Sequence, residues 1–357
     1  MNPQEQVCHN RQCWVYGRSG EGDIVIHSQC EQRYRCKRCG KTFSATKDTP
    51  FYRLHHPQAL IVIVVTLLAF GCPVQAIVAA FGLDERTVAA WQRRAGRQCA
   101  QVHTHLVQAG AVTLGQVPAD ELRVRIVGGV VWVAMALTVQ SRLWLGGVAS
   151  ARRDRTLIGS LLARVAACGS VVTVLLCTDG LVSYPRQAVR RFRQAVRTGT
   201  RGRPRLVLPD GVRIAQVIKR YARRRVREVE HRIVRGSAEA VAAVLTATQG
   251  KTTAVINTAY IERLNATFRA RLAPLVRRSR ATVRHLATLE AGVWLVGTVY
   301  NFVTPHRSLD GETPTQAAGV TDHRWTVGEV LHYRVPLPAV KRRGRPPRWF
   351  RDVTHAT

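Results

Sequence analysis

VPADELRVRIVGG (117–129), VVWVAMALTV (130–139), LWLGGVAS (143–150) and VVTVLLCTDG (171–180) are the stretches on which the fold turns. Apolar residues recur along each, and the first three are separated by Gly128-Gly129 and Gln140-Ser141. The pattern predicts three successive strands, 117–126, 130–139 and 143–150, as a β-meander. Residues 154–167 read as a helix, and 171–177 as a buried strand that returns beside the first. In that β-β-β-α-β order Asp120 and Asp179, far apart in sequence, are expected to meet.

Downstream, NTAYIERLNATFRARL (257–272) reads as an amphipathic helix. Helical spacing places Ile261, Leu264, Phe268 and Leu272 on an apolar face and Thr258, Glu262, Asn265 and Arg269 on another. Glu262 is thereby displayed and becomes the third acid. On the first strand Asp120 shares parity with Leu122 and Val124, whereas Glu121 alternates with Arg123 and Arg125. Asp120 is preferred, and Glu121 is the runner-up in case of a one-residue slip. Three clustered carboxylates repel one another unless a cation compensates them. Two hard divalent ions, Mg(II) or Mn(II), about 4 Å apart, are the natural partners and suit chemistry at a phosphodiester.

Charge points the same way. The chain of 357 residues carries 54 Lys plus Arg against 22 Asp plus Glu, a formal net charge of +32, which calls for a polyanionic partner, nucleic acid before a membrane surface. The stretch 186–235 alone holds 17 Arg or Lys against Asp210, Glu228 and Glu230, a track for phosphates more than a solvated basic helix. Within and beyond it, Arg201-Gly-Arg203-Pro and Arg343-Gly-Arg345-Pro share a core similar to the AT-hook, which lays arginines in a narrow minor groove. The charge-free segment 59–83 is long enough for a membrane span but is broken by Gly71-Cys72-Pro73. No membrane partner is expected.

Nine cysteines concentrate toward the N terminus, which fits metal ligation in a reducing, cytoplasmic setting better than disulfides. Cys8, Cys13, Cys36 and Cys39 form two pairs suited to a tetrahedral Zn(II) site, with Cys30 and His9 as alternative ligands. Residues 73–81 and a helix capped by Asp84 and running to about Gln98, joined through Gly82-Leu83, predict a helix-turn-helix. Its groove-facing side would carry Arg86, Gln92 and Arg93. His306, in YNFVTPHRSL (300–309), either approaches the acids or holds its loop, the second being favoured.

Taken together, CKRCGKTF (36–43), ADE (119–121), TDG (178–180), YIERLN (260–265) and YNFVTPHRSL resemble the DDE transposases of bacterial insertion sequences that begin with a zinc ribbon and a helix-turn-helix. The resemblance covers nearly all of 6–330. It implies an α/β, RNase H-like catalytic domain with Asp120, Asp179 and Glu262 as the triad, flanked by Asn265 and Arg269 as DNA contacts. It also implies binding to double-stranded transposon ends and target, on which protomers assemble as homo-oligomers, in a cytoplasmic, nucleoid-associated protein. The expected organisation is a zinc ribbon (1–52), a helix-turn-helix domain (53–107), a catalytic domain (108–333) with an Arg-rich insertion at about 186–250, and a basic tail (334–357). The long insertion leaves Glu228 and Glu230 as competitors of Glu262. A non-catalytic DNA-binding regulator derived from a transposase, or an RNase H-like nuclease, would share many of these features.

Overall fold

Three short strands, β1 (Ile24–Ser28), β2 (Arg33–Cys36) and β3 (Thr42–Ser44), pair antiparallel in that order. Their core is small: Val15, Ile24, Tyr34 and Phe43 around buried cysteines. The computed structural model describes residues 1–197, 199, 202–223, 225–250, 255–276 and 283–340. They form two compact units, one of Met1–Gln58 rejoined by the chain from His332, the other Ala59–Leu331. At the start of the basic tail expected at 334–357, Arg334 donates to the Ala45 carbonyl, and just before it His332 lies against Phe51, ring centres 4.6 Å apart.

The larger unit opens with α1 (Gln58–Ala69), α2 (Val74–Phe81) and α3 (Glu85–Leu106). Gly82 closes α2 in the left-handed region (φ +62°), and the Asp84 side chain accepts from the Arg86 and Thr87 amides to start α3. These local signals act as expected, but α3 runs past Gln98. Its far half buries Ala95, Gly96, Cys99, Val102 and His103, which ties it to the rest of the unit. The three helices are therefore packed within Ala59–Leu331 and are not set apart from it.

The sheet follows the pleat read from the sequence. It consists of β4 (Gly115–Ile126), β5 (Gly129–Leu137), β6 (Trp144–Ser150), then α4 (Arg155–Cys168) and β7 (Val174–Asp179). β4, β5 and β6 form the antiparallel meander, and β7 returns parallel to β4. After α5 (Ser183–Arg191) the Arg-rich stretch is not a basic helix. It forms a small hairpin, β8 (Gln194–Val196) with β9 (Arg205–Val207), and two long strands, β10 (Val212–Ala222) and β11 (Arg225–Arg235). β10 pairs parallel to β7 and buries Val212, Ile214, Ala215 and Val217, so part of this stretch is sheet core. The resulting six-stranded mixed sheet has the order β11-β10-β7-β4-β5-β6, compatible with an RNase H-like fold.

α6 (Ala238–Gln249) covers β7 and β10 through Val241 and Leu245. α7 (Ala259–Arg271) lays Ile261, Leu264 and Phe268 on Leu122, Val124 and Met135. α8 (Leu286–Phe302) packs against α3 so closely that a Cβ on Gly96 would lie 2.3 Å from the Ala291 carbonyl oxygen. Two short helices, α9 (Pro314–Ala317) and α10 (Val327–His332), complete the chain.

Candidate functional site

The ladder between β4 and β7 ends at Pro118 paired with Cys177. Proline has no N–H to donate, so it can sit in a central strand only where the pairing changes partner. From Ala119 onward β4 pairs with β5, and the gap that opens between β4 and β7 leads directly to Asp120 and Asp179. Strand parity places Pro118, Asp120, Cys177, Asp179, Val217 and Lys219 on one face, because Cys177 is in register with both Pro118 and Ala215. The cleft at this strand end measures about 400 Å³ and is lined by Asp120, Asp179 and Glu262 with Arg153, Lys219 and Thr258. The three acids proposed from sequence therefore share one cavity. Glu228 and Glu230, their competitors, pair instead with Arg220 and Arg232 on the β10–β11 hairpin.

Each acid has a distinct environment. Asp120 Oδ2 accepts from Asn265 Nδ2 at 2.8 Å, and its Oδ1 accepts from the Glu121 amide at 2.8 Å. Burial, then the charges of Asp179 and Glu262, push the Asp120 carboxyl above its usual range against the Glu121 amide, which lowers it. Asp179 ends β7 with Oδ1 accepting from the Leu181 amide at 3.0 Å, and Gln216 holds its carbonyl oxygen at 2.7 Å. Glu262 is half exposed; Lys219 Nζ at 2.8 Å and Thr258 Oγ1 at 2.9 Å outweigh partial burial and hold its carboxyl below the usual range.

Glu121 lies on the opposite face of β4, fully enclosed. Arg153 donates to its Oε2 from Nε at 3.0 Å and Nη2 at 2.7 Å, and Nη2 also reaches Asp179 Oδ2 at 3.2 Å. Burial raises the Glu121 carboxyl above its usual range despite that arginine, and raises the neighbouring Tyr184 phenol well above its own. The Arg153 guanidinium also lies over Trp132, 5.0 Å from the ring centre. Oxygens of Asp120, Glu121 and Asp179 approach within 4.8 Å of one another. Oxygen ligands of one Mg(II), bound at about 2.1 Å, stand roughly 3–4 Å apart, so this donor set fits a hard divalent cation after a small contraction.

Other residues fall differently from expectation. Asn265 is 1% exposed and engaged with Asp120, so it positions an acid and does not face DNA. Arg269 is half-buried one turn further on. Arg86 and Arg93 are exposed along α3, but Gln92 turns toward Gly292 of α8, since two residues one apart on a helix point about 100° from each other. His306 packs edge-on against Tyr300, ring centres 4.7 Å apart, and its amide closes a loop onto Glu312; it does not line the cleft. Of the two Arg-Gly-Arg cores, Arg203 is exposed, while Arg201, Arg343 and Arg345 lie outside the described residues. Sequence reasoning missed Arg153, Lys219, Tyr184 and Pro118. Of these, the proline inside a run otherwise reading as a central strand was the one signal available.

A second donor set sits in the small unit. Cys8, Cys13, Cys36 and Cys39 bring four sulfurs within 4.8 Å of one another, with Cys8–Cys39 at 3.8 Å and Cys13–Cys36 at 3.9 Å. A tetrahedron of thiolates bound at about 2.3 Å has an edge of about 3.8 Å, so the set fits zinc, among other thiophilic ions. Burial pushes the Cys8 thiol far up and Cys13 to about 11, whereas hydrogen bonds from the Lys41 amide and neighbouring groups overcome burial and bring Cys39 down to about 7. A bound cation would offset the cost of ionising these buried thiols. Cys30 is exposed and His9 bonds Asp48 at 2.6 Å, so neither alternative ligand joins the set.

Comparison with protein-family models and with curated proteins returns no match. No single helix among the described residues is long and apolar enough to cross a membrane.

Proposed function

We propose that the protein is a DNA transposase of the DDE kind, which hydrolyses a phosphodiester at the end of a mobile element and transfers the freed 3′-hydroxyl to target DNA. The observation that carries this reading is the convergence of Asp120, Asp179 and Glu262 on one cleft in a chain of net charge +32. Asp120 and Asp179 would hold divalent magnesium or manganese, with Glu262 reaching in from α7 and Glu121 beneath. Such ions, when bound, supply Lewis-acid activation of the attacking oxygen and stabilisation of the leaving one.

The chain's own residues do the rest. Asn265 fixes the rotamer of Asp120, and Gln216 fixes the turn that follows Asp179. Arg153, paired with Glu121 and Asp179, and Lys219, paired with Glu262, would meet the phosphate's negative oxygens. In the first reaction water attacks the phosphorus and the 3′ oxygen leaves. In the second, that 3′-hydroxyl attacks a target phosphate and the target's own 3′ oxygen leaves, so bonds broken and formed balance. The cysteine unit, holding zinc, and the exposed arginines of α3 would recognise the element's ends, and two or more protomers would assemble on them.

Plasmid DNA carrying the gene with its natural flanks tests this. The wild-type protein is expected to nick and join it only with magnesium or manganese, and Asp179→Asn to bind it but neither cut nor join. Strand transfer retained by Asp179→Asn contradicts the assignment. Nicking without joining makes the protein a nuclease, and binding without either makes it a regulator.

A further inference from the structure

The pairing of β10 with β7 stops at Val217 opposite Asp179, whereas its pairing with β11 continues to Ala222 opposite Arg225. Residues 218–222 and their partners thus run past the sheet as a two-stranded arm, held at its base by Lys219 to Glu262. At about 3.3 Å per residue the overhang is about 17 Å. It departs from the cleft itself, since Val217, Ile218 and Lys219 form part of the cleft's wall.

None of the arm's described side chains is buried. Along β11 the residues from Arg225 to Val229 are all exposed, valines included. Its charges divide into two groups. Near the sheet, Arg220 pairs with Glu228 at 3.6 Å and Glu230 at 3.4 Å, and Arg232 with Glu230 at 2.9 Å, which ties the two strands together. Toward the tip, Arg223, Arg225 and Arg227 are exposed and have no ion pair among the described residues. The turn is also unusual in composition. A two-residue hairpin turn favours Asn-Gly because its residues adopt positive φ, yet here Arg223 takes φ +49° and is followed by a second arginine. Charge has been placed at the tip at the expense of good turn chemistry.

We propose that the β10–β11 arm enters the major groove of duplex DNA beside the bond held in the cleft. A two-stranded ribbon fits the B-form major groove, about 12 Å wide and 8.5 Å deep, and the overhang is long enough to reach its floor while the cleft meets the backbone. The deep, narrow major groove of duplex RNA does not admit it. The position relative to the cut rests on the reading of the cleft as a phosphodiester site; entry into the groove does not.

The test uses the full-length, zinc-loaded Asp179→Asn protein and a labelled mixed-sequence DNA duplex of about 30 base pairs. Changing Arg223, Arg225 and Arg227 to Gln is expected to weaken binding at least about tenfold at 0.1 M salt and to flatten the slope of log affinity against log salt by about 2–3. Methylation of guanine N7 in the major groove is expected to interfere with binding by the parent and not by the triple variant. A control triple, Arg123→Gln, Arg125→Gln and Arg307→Gln, makes the same charge change at exposed sites elsewhere and is expected to lose less. Arg223→Asn relieves the turn, and is expected to hold or raise the melting temperature while lowering affinity. Equal losses in the two triples, equal affinity for the matching RNA duplex, or loss of binding to anionic phosphatidylserine vesicles with DNA binding intact would each overturn the proposal. Should the wild type fail to cut DNA while the arm variant still loses duplex binding, the catalytic reading falls and the arm stands.

Discussion

Asn265 Nδ2 donates to Asp120 Oδ2 at 2.8 Å, joining α7 to β4 across 145 residues of chain. Through this bond the helix carrying Glu262 sets the orientation of the first acid, and Asn265 is buried to 1% exposure. Groups that orient a metal-binding carboxylate typically matter by 10–100-fold. Asn265→Ala is expected to weaken Mn(II) binding and slow DNA cleavage by roughly that factor, with the fold retained by circular dichroism. A lower melting temperature with unchanged metal affinity and cleavage reduces Asn265 to a packing role.

The pH dependence of stability reports on the crowded acids. Asp120 titrates in the folded chain above its usual range. Its contribution is therefore complete below the unfolded value, near 3.9, and is lost as pH rises through the raised folded value. Asp120→Asn removes that loss. Without divalent magnesium or manganese, the variant is expected to melt a few degrees above wild type at pH 7 and close to it at pH 4. A variant less stable than wild type at pH 7 contradicts the assigned repulsion and burial.

Gly96 decides how closely α3 approaches α8. Alanine is the better helix former by about 1 kcal/mol, but its Cβ would lie 2.3 Å from the Ala291 carbonyl oxygen. Forcing an extra carbon into such a contact costs about 1–3 kcal/mol, so the clash wins. Gly96→Ala is expected to lower the urea midpoint with the slope unchanged; a higher midpoint means that the two helices separate at little cost.

The apolar cluster around the cysteines of the small unit is small. It is built around the four thiols, with Val15, Ile24, Tyr34 and Phe43 as neighbours. The protein is expected to carry one zinc per chain by atomic absorption, and Cys36→Ser to lose it together with the dispersed amide signals of this unit. Retention of those signals after chelation shows that the cysteines are structural without metal.

Much of this was legible in the sequence for identifiable reasons. Parity along β4 distinguished Asp120 from Glu121 because Leu122 and Val124 must face α7, and a one-residue slip would have buried Arg123 and Arg125. Helical spacing placed Asn265 on the same side as Glu262, and turn residues marked the meander. What was illegible depends on contacts between distant segments. The arginine density of 186–235 masked β10, whose buried run Ile214, Ala215 and Val217 is short and flanked by charge. Arg153, in a connecting loop, gave no periodic signal, and Lys219 was one of many cations until pairing with β7 fixed its face. The extension of α3 into the larger unit was hidden because a helix face that buries against α8 looks in sequence like any other amphipathic face.

Crystals grown in manganese and measured at the manganese absorption edge test the central claim most directly. The expected result is an anomalous peak about 2.2 Å from oxygens of both Asp120 and Asp179, lost in Asp179→Asn. A cleft without manganese at millimolar concentration, with Arg153 still bridging Glu121 and Asp179, contradicts it.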